Sequence, residues 1–247
     1  MRRLLLLTLL TLATRLAFAQ GGPPMITDDP GTPGNGHWEN NLSVAFEHRP
    51  NEWSIDAPGI DLNYGWGDHI QLTLQTSAAL LKRSDHGLLG GLGGTEAAVK
   101  WRFLDEERSG VDLSMFPRIL FNVVHSSVRR GLAEAGTRFQ IPFQAAKKLG
   151  CVDFGVEFGP LINSTDRGEF IYGIVAATEL SKTTSIMAEV HATSRMNFTR
   201  DVVTLNFGWR HTLNEHAIWI ASLGHEVHSD TDEPLALIGY CGVQLLY

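Results

Sequence analysis

The charged residues that could do chemistry in this 247-residue chain alternate with apolar residues along the sequence. If alternation places these charges on one face of a β-sheet, charges of both signs could line a solute path and set its selectivity. Alternatively, they could pair across an interior and hold the wall together. Both interpretations stay open from the sequence. The predicted inward, lumen-facing set comprises Glu47, Asp61, Glu96, Lys100, Arg102, Arg118, Arg138, Asp153, Glu157, Glu189 and Arg210.

A second group consists of histidines and acids in segments with the composition of loops: Asp85-His86, His125-Ser126 and the stretch 225–232. A histidine beside a carboxylate could act as a general acid or base, or bind a metal ion. No tight metal-ligand spacing and no convincing serine–histidine–amide arrangement stand out. We therefore predict no catalytic residues, no metal site and no cofactor, and interpret these residues as solvated loop positions. An enzyme acting at the rim of a barrel is the less favoured alternative.

The glycine-rich stretch GLLGGLGGTE, residues 87–96, superficially suggests a phosphate-binding loop. It precedes a strand rather than a helix, and it lacks the Lys-Ser/Thr pair that completes such a loop. We predict a flexible outer loop there.

Residues 1–19 have the pattern of a secretory signal peptide. Arg2 and Arg3 precede an apolar run too short to span a bilayer, and Ala17-Phe18-Ala19 provides a cleavage site. Cleavage would remove three arginines and no acids, which changes the formal charge from −7 to −10. No basic patch indicates a nucleic-acid partner. The two cysteines are too few for a disulfide scaffold.

Alternation of apolar and polar residues, the pattern of a β-strand, dominates from His37 onward. The first strand, for example, places Leu42, Val44 and Phe46 on one face. Twelve such segments follow one another, although Ile218 and Ile220 disturb the polar face of the segment 216–224. Short connections alternate with mostly longer, polar ones, as in membrane barrels with short periplasmic turns and longer outer loops. The longer set is 49–58, 82–94, 124–136, 161–168, 194–200 and 225–234.

Aromatic residues fall at the strand ends in two groups, as expected of belts at the two membrane interfaces. One group includes Trp38, Tyr64, Trp66, Trp101 and Tyr247; the other includes Phe46, Phe121, Phe139, Phe158 and Phe170. A soluble sandwich has no reason to sort its aromatic residues by strand direction. We therefore predict an all-β fold, an antiparallel transmembrane β-barrel of about twelve strands with periplasmic termini, in the bacterial outer membrane.

The predicted organisation is a signal peptide (1–19), an irregular Gly/Pro-rich lead-in (20–36) and the barrel (37–247). Proline pairs keep the lead-in from forming a strand. One hypothesis is that it folds into the lumen as a partial plug, where Asp28 and Asp29 would meet inward arginines such as Arg102 or Arg210. The alternative is a disordered periplasmic tail.

Three segments, ITDDPGTPGNGHWENNLS, IDLNYGWGDHIQLTL and GLGGTEAAVKWRFLDE, carry a family resemblance. The chain resembles a widespread Gram-negative outer-membrane family linked to the phenol meta-cleavage pathway, whose members are often labelled transporters. The resemblance spans nearly all of the mature chain. It implies a barrel and, for some members, uptake of aromatic or other apolar compounds, but it transfers no functional residues.

The leading functional hypothesis is a passive or gated channel for small solutes, with aromatic or apolar compounds as candidates. The runner-up is a closed structural or surface-interaction barrel. The expected partners are outer-membrane lipid, the outer-membrane assembly machinery and an unidentified small solute.

Overall fold

The computed structural model describes residues 22–85, 87–165, 168–199, 201–230 and 234–247. The predicted signal peptide lies outside these residues, as do His86 and Asp232. Within the described ranges, no helix is long and apolar enough to cross a membrane.

Strands make up nearly all of the structure, and only two short helices interrupt them. The elements are β1 Trp38–Arg49, β2 Glu52–Trp66, β3 Ile70–Arg83, β4 Leu88–Leu104, α1 Glu106–Ser109, β5 Asp112–Met115, β6 Arg118–Phe121, α2 His125–Arg129, β7 Arg138–Gln140, β8 Phe143–Leu149, β9 Val152–Asn163, β10 Glu169–Ser181, β11 Thr184–Arg195, β12 Val202–Asn214, β13 Ala217–Ser229 and β14 Leu237–Leu246.

Twelve strands make up the wall of the barrel. Two of them are each divided into halves by a proline-containing break, so the wall consists of fourteen strand segments. β5 and β6 both pair with β4, on either side of Pro117. β7 and β8 both pair with β9, on either side of Pro142. Proline has no N–H to donate to a ladder and so interrupts it. The backbone stays paired around the breaks, since Ile141 N donates to Pro160 O at 3.0 Å.

The wall closes on itself. Every strand pairs antiparallel with its neighbours, β9 pairs with β10, and β14 pairs with β1 from Glu39↔Leu246 to His48↔Leu237. This confirms the predicted fold class, a closed antiparallel barrel of twelve strands. We call the end at which β1 begins and β14 finishes the terminal end, and the opposite end the distal end. The periplasmic position of the termini stays a prediction.

The two faces of the wall have inverted polarity relative to a soluble protein. On β11, Glu189 is 1% exposed whereas the neighbouring Val190 is 48% exposed. On β12, Asn206 is 2% exposed and Phe207 is 59% exposed. Since successive side chains of a strand point to opposite faces, polar residues fill the interior and apolar residues cover the outside. This is the arrangement of barrels that face lipid.

Aromatic side chains gather on the outer face at the terminal end. Trp38, Trp66, Trp101 and Tyr247 are all exposed. The rings of Trp38 and Tyr64 lie 4.9 Å apart across the β1–β2 pair. These residues are the ones that the sequence assigned to one of the two predicted belts.

Several predicted connections are in fact strand. Only Pro50 and Asn51 separate β1 from β2, so most of the predicted loop 49–58 belongs to β2. His225 and His228 lie on β13 rather than in a loop. The predictions failed because these strands extend beyond the region in which apolar and polar residues alternate clearly.

The predicted flexible loop at 87–96 is also wrong, because nearly all of it belongs to β4. A Cβ on Gly91 would collide with side chains of Arg130 and Leu132, which come from the connection between β6 and β7. Glycine at this position allows close packing against that connection.

A substitution pair on β3 tests the assignment of the two faces. Leu74 is exposed on the outer face, and its neighbour Gln75 lines the interior. Leu74→Arg would place a cation in lipid near the middle of the strand, and we expect it to cost about 2–4 kcal/mol of folding free energy. Gln75→Arg introduces the same side chain into a polar interior and serves as the matched control.

Urea titration in lipid vesicles, read by heat-modifiable gel mobility, measures both variants. Equal stability of the two, or greater loss for Gln75→Arg, would contradict the assignment, since a register slip of one residue inverts every side chain.

Candidate functional site

The lead-in (residues 22–36 in the structure) lies inside the barrel. Its backbone N–H groups at Ile26 and Thr27 donate to the carboxylate of Glu189 on β11, the first at 3.1 Å. The N–H of Asp28 donates to the carboxylate of Glu157 on β9. Both glutamates are buried on the inner face. The lead-in is therefore held against the inner wall by two carboxylates.

Further contacts extend this attachment across neighbouring strands. Ser222 Oγ on β13 donates to Pro24 O at 2.8 Å. Met25 packs in a buried apolar cluster with Val175, Ala177 and Met187, which come from β10 and β11. The inner wall is thus apolar where Met25 meets it, although most of the interior is polar.

Asp28 links the lead-in to the opposite part of the wall. Its Oδ1 lies 2.9 Å from Lys100 Nζ on β4, and its Oδ2 lies 2.9 Å from Arg118 Nη2 on β6. Lys100 Nζ also donates to Asp29 O at 2.7 Å. Both cations contact the ring of Phe116, with Lys100 Nζ at 4.6 Å and the Arg118 Cζ at 4.2 Å from its centroid.

These cations determine the charge of Asp28. Burial raises its pKa, but the charges of Lys100 and Arg118 outweigh this effect and hold the pKa below its ordinary value. For Asp29, burial is the dominant effect and raises the pKa. Asp28 is thus the lead-in carboxylate that stays ionised as the counter-charge of the two cations.

The sequence named Arg102 and Arg210 as examples of partners for the lead-in acids, and the ion pairs of Asp28 correct this expectation. Arg102 lies near the terminal end, where it pairs with Asp105 at 3.0 Å. Arg210 donates to Gln244 Oε1 at 2.5 Å. An inward arginine does meet Asp28, but it is Arg118, while the charge of Arg210 acts on Asp29. Choosing among five inward cations requires the path of the lead-in in three dimensions.

Glycines in the wall provide space for the lead-in. A Cβ on Gly173 would overlap Thr27 Oγ1, one on Gly208 would overlap Met25 Cε, and one on Gly65 would overlap Gly34 O. Close backbone approach of this kind is a reason for glycine within a strand. The wall therefore has a surface complementary to the lead-in along several strands.

A second segment, the distal loop (residues 122–137), packs inward at the distal end. Leu132 from this loop is buried against Ala79 and Leu81 of β3. Asn122 Nδ2 donates to Glu134 O at 2.5 Å, and Arg138 Nη1 lies 2.5 Å from Glu134 Oε2. The distal loop narrows this end of the lumen.

A cavity of about 980 Å³ remains beside the lead-in, and we call it the lumen path. It reaches Trp38 and Tyr247 at the terminal end and Asn122 and Glu134 near the distal end. Strands β1 to β4 and β6 provide most of its wall, because the lead-in covers the inner faces of β9 to β13. The lumen is therefore divided into a filled side and an open side.

The structure brings most of the predicted lumen-facing residues together on the open side. Eight of them line the lumen path: Glu47, Asp61, Glu96, Lys100, Arg102, Arg118, Arg138 and Arg210. Glu157 and Glu189 instead hold the lead-in on the filled side. Asp153 is not part of the path lining, and its Oδ2 lies 3.4 Å from Lys148 Nζ near the terminal end.

Two acids on the wall strands that line the path, Glu39 and Asp56, were missing from the predicted set, as were Glu134 of the distal loop and Glu215 of the turn between β12 and β13. Glu39 lies two residues before the inward Asn41, so its side chain points to the same face. It would be predicted if the first strand were extended toward Trp38. Asp56 would be assigned to the outer face by strict alternation. A β-bulge between Asp56 and Gly59 shifts the register and returns Asp56 to the inner face. The only local signal of this bulge is Pro58.

The described parts of the chain contain no group of three or more His, Cys, Asp or Glu residues that could hold a metal ion. The histidines considered for rim chemistry are dispersed, with His125 at the start of α2 and His225 and His228 on β13.

Comparison with known proteins supports the fold. No protein-family model and no curated protein matches the chain. Among solved structures, the COG4313 outer membrane channel from Pseudomonas putida F1 is similar with a TM-score of 0.73 and 9% identity, over 92% of this chain and 100% of that chain. The NanC porin has a TM-score of 0.61 and 8% identity, over 84% of this chain and 99% of that one.

The KdgM porin is a third similar structure, with a TM-score of 0.58 and 9% identity over 83% of this chain and 98% of that chain. At these identities the likeness is one of fold. This chain therefore has the fold of outer-membrane channel and porin barrels.

A wall glycine tests the attachment of the lead-in. Gly173→Val would place its side chain where Thr27 now lies, and overpacking of this kind costs about 1–3 kcal/mol. We expect the amides of residues 26–28 to exchange with deuterium about tenfold faster, because their contacts with Glu189 and Glu157 would loosen.

Gly94→Val is the control, since nothing lies within 4 Å of a Cβ at Gly94. Mass spectrometry of the lead-in peptides, on protein that keeps its heat-modifiable mobility, gives the exchange rates. Unchanged exchange in Gly173→Val would show that the lead-in does not depend on this contact.

Proposed function

We propose that this protein is an outer-membrane channel through which small solutes diffuse along the lumen path. The observation that carries the proposal is a polar cavity that extends along the barrel from the terminal end toward the distal end, beside the lead-in. Its lining contains charged side chains and amides, among them Asn41, Asn63 and Gln71. Such a lining suits water and dissolved solutes.

The outer face supports a position in the outer membrane. Its strands expose apolar side chains, and aromatic side chains surround its terminal end. The predicted signal peptide would deliver the chain across the inner membrane. Outer-membrane lipid and the assembly machinery that inserts barrels are the proposed partners.

The lining favours small polar or charged solutes. The family resemblance implies aromatic or apolar compounds, and the path also has apolar side chains, among them Ile26, Phe116 and Phe121. We propose hydrophilic solutes as the main class, because charged side chains line the path from Glu39 near the terminal end to Glu134 near the distal end. A role in phenol metabolism would need an aromatic compound to pass this charged lining.

A closed structural barrel is the competing function, because the lead-in and the distal loop both narrow the lumen. Single-channel recording of the mature chain in planar bilayers separates the two. We expect discrete current steps in KCl. A folded barrel that gives no steps would contradict the channel proposal and favour the closed barrel.

Removal of the lead-in tests whether this segment limits the width of the channel. Deleting residues 22–34 behind an intact signal and cleavage site should give larger current steps, because the filled side of the lumen would open to water. Lys100 and Arg118, which would lose Asp28, would then be hydrated. Steps of unchanged size in a deletion variant with normal heat-modifiable mobility would contradict a narrowing role for the lead-in.

A further inference from the structure

We propose that the channel selects for cations, and that an acidic strip formed by Glu39, Asp56 and Asp61 on β1 and β2 is the element that does so. This inference rests on the proposed channel function and specifies the class of solute, small monovalent cations and positively charged organic molecules of similar width.

The lining of the lumen path has more acidic than basic side chains. Five cations line it: Lys100, Arg102, Arg118, Arg138 and Arg210. Nine carboxylates line it: Asp28, Asp29, Glu39, Glu47, Asp56, Asp61, Glu96, Glu134 and Glu215. With all groups ionised, the lining would carry an excess negative charge.

The cations are engaged by acceptors of the protein. Lys100 and Arg118 both bind Asp28, and Arg118 also lies 3.6 Å from Glu157 Oε1. Arg138 pairs with Glu134. Arg102 pairs with Asp105 and donates to Asp68 O at 2.9 Å. The charge of these four cations is therefore balanced locally. Arg210 instead donates to the neutral amide of Gln244, which in turn donates to Glu39.

The acidic strip, by contrast, has neutral hydrogen-bond donors. Gln244 Nε2 donates to Glu39 Oε1 at 2.7 Å, and Ser77 Oγ donates to Asp56 Oδ1 at 2.7 Å. Asn41 Nδ2 donates to Asp61 Oδ2 at 2.9 Å. In the part of the chain that the structure describes, no Lys, Arg or His nitrogen lies within 4 Å of these three carboxylates.

Oxygen acceptors beside the central carboxylate provide a second, independent observation. Asn41 is 1% exposed and lines the path, yet its Oδ1 accepts no hydrogen bond from the described residues. The same holds for Asp61 Oδ1. Because Asn41 directs its N–H₂ group to Asp61, two oxygens are left without donors at this point. Their partial negative charges add to the negative potential of Asp61 beside the path.

The strip extends along the path rather than forming a single point. Glu39 lies near the start of β1, while Asp61 and Asp56 follow on β2 toward the distal end. Fixed negative charges along a narrow path between low-dielectric walls raise the local cation concentration and exclude anions. The geometry thus points to selectivity over the whole path.

Reversal potentials of the mature channel in a KCl gradient test this inference. We expect the wild type to be more permeable to K⁺ than to Cl⁻. A unit charge about 7 Å away changes the energy of an ion in water by about RT, with opposite sign for K⁺ and Cl⁻, so Asp61→Asn should lower the K⁺/Cl⁻ permeability ratio by about sevenfold. Asp56→Asn should act in the same direction, and the double variant should lower the ratio further.

Glu107→Gln is the matched control, since it removes one carboxylate from the exposed helix α1 outside the path. It should leave the ratio unchanged. Recording at low and high salt adds a readout, because screening should weaken selectivity at high salt.

The outcomes separate the two proposals. A conducting wild type with a ratio at or below one, or one whose ratio is the same in the Asp61→Asn and Asp56→Asn variants, would overturn cation selection while leaving the channel in place. A folded wild type without conductance would overturn the channel proposal, and the selectivity inference with it.

Discussion

Closure of the backbone hydrogen-bond ladder is the constraint on which the rest of this structure depends. A wall that exposes Leu42, Val190 and Phe207 to lipid can leave no unpaired strand edge there. The β14–β1 and β9–β10 pairings remove the edges. At the breaks, the carbonyls of the prolines still accept from the adjacent strand, as when Phe116 N donates to Pro142 O at 3.0 Å. Once the ring is closed, strand alternation determines which side chains enter the lumen.

Closure places charged side chains inside the barrel, where they are buried and need partners of their own. The lead-in provides them: its backbone N–H groups satisfy Glu157 and Glu189, and Asp28 is the counter-charge of Lys100 and Arg118. A buried ion pair is by itself weak evidence for stability, but removal of one partner leaves an uncompensated buried charge. The lead-in is therefore best understood as part of the inner wall rather than as an independent plug.

Alternation of residues was sufficient to predict the strand number and most of the inward residues, because both depend on a local period of two. Features that depend on contacts between distant segments could not be predicted. The bulge that turns Asp56 inward interrupts the period, and Gly91 of β4 packs against Leu132 and Arg130, more than thirty residues away. The choice of Lys100 and Arg118 over other cations required the path of the lead-in.

Acids outside the predicted inward set explain how that nearly balanced set can present an acidic path. The predicted inward set holds six acids and five bases, which on its own would favour neither ion. The lead-in covers Glu157 and Glu189, contributes Asp28 and Asp29, and engages Lys100 and Arg118. The lead-in thus removes two carboxylates from the path and adds two, so the acidic excess comes from Glu39, Asp56, Glu134 and Glu215, which the predicted set lacked. On β2, Asp56 and Asp61 have neutral hydrogen-bond donors, whereas Asp28 of the lead-in engages two of the cations.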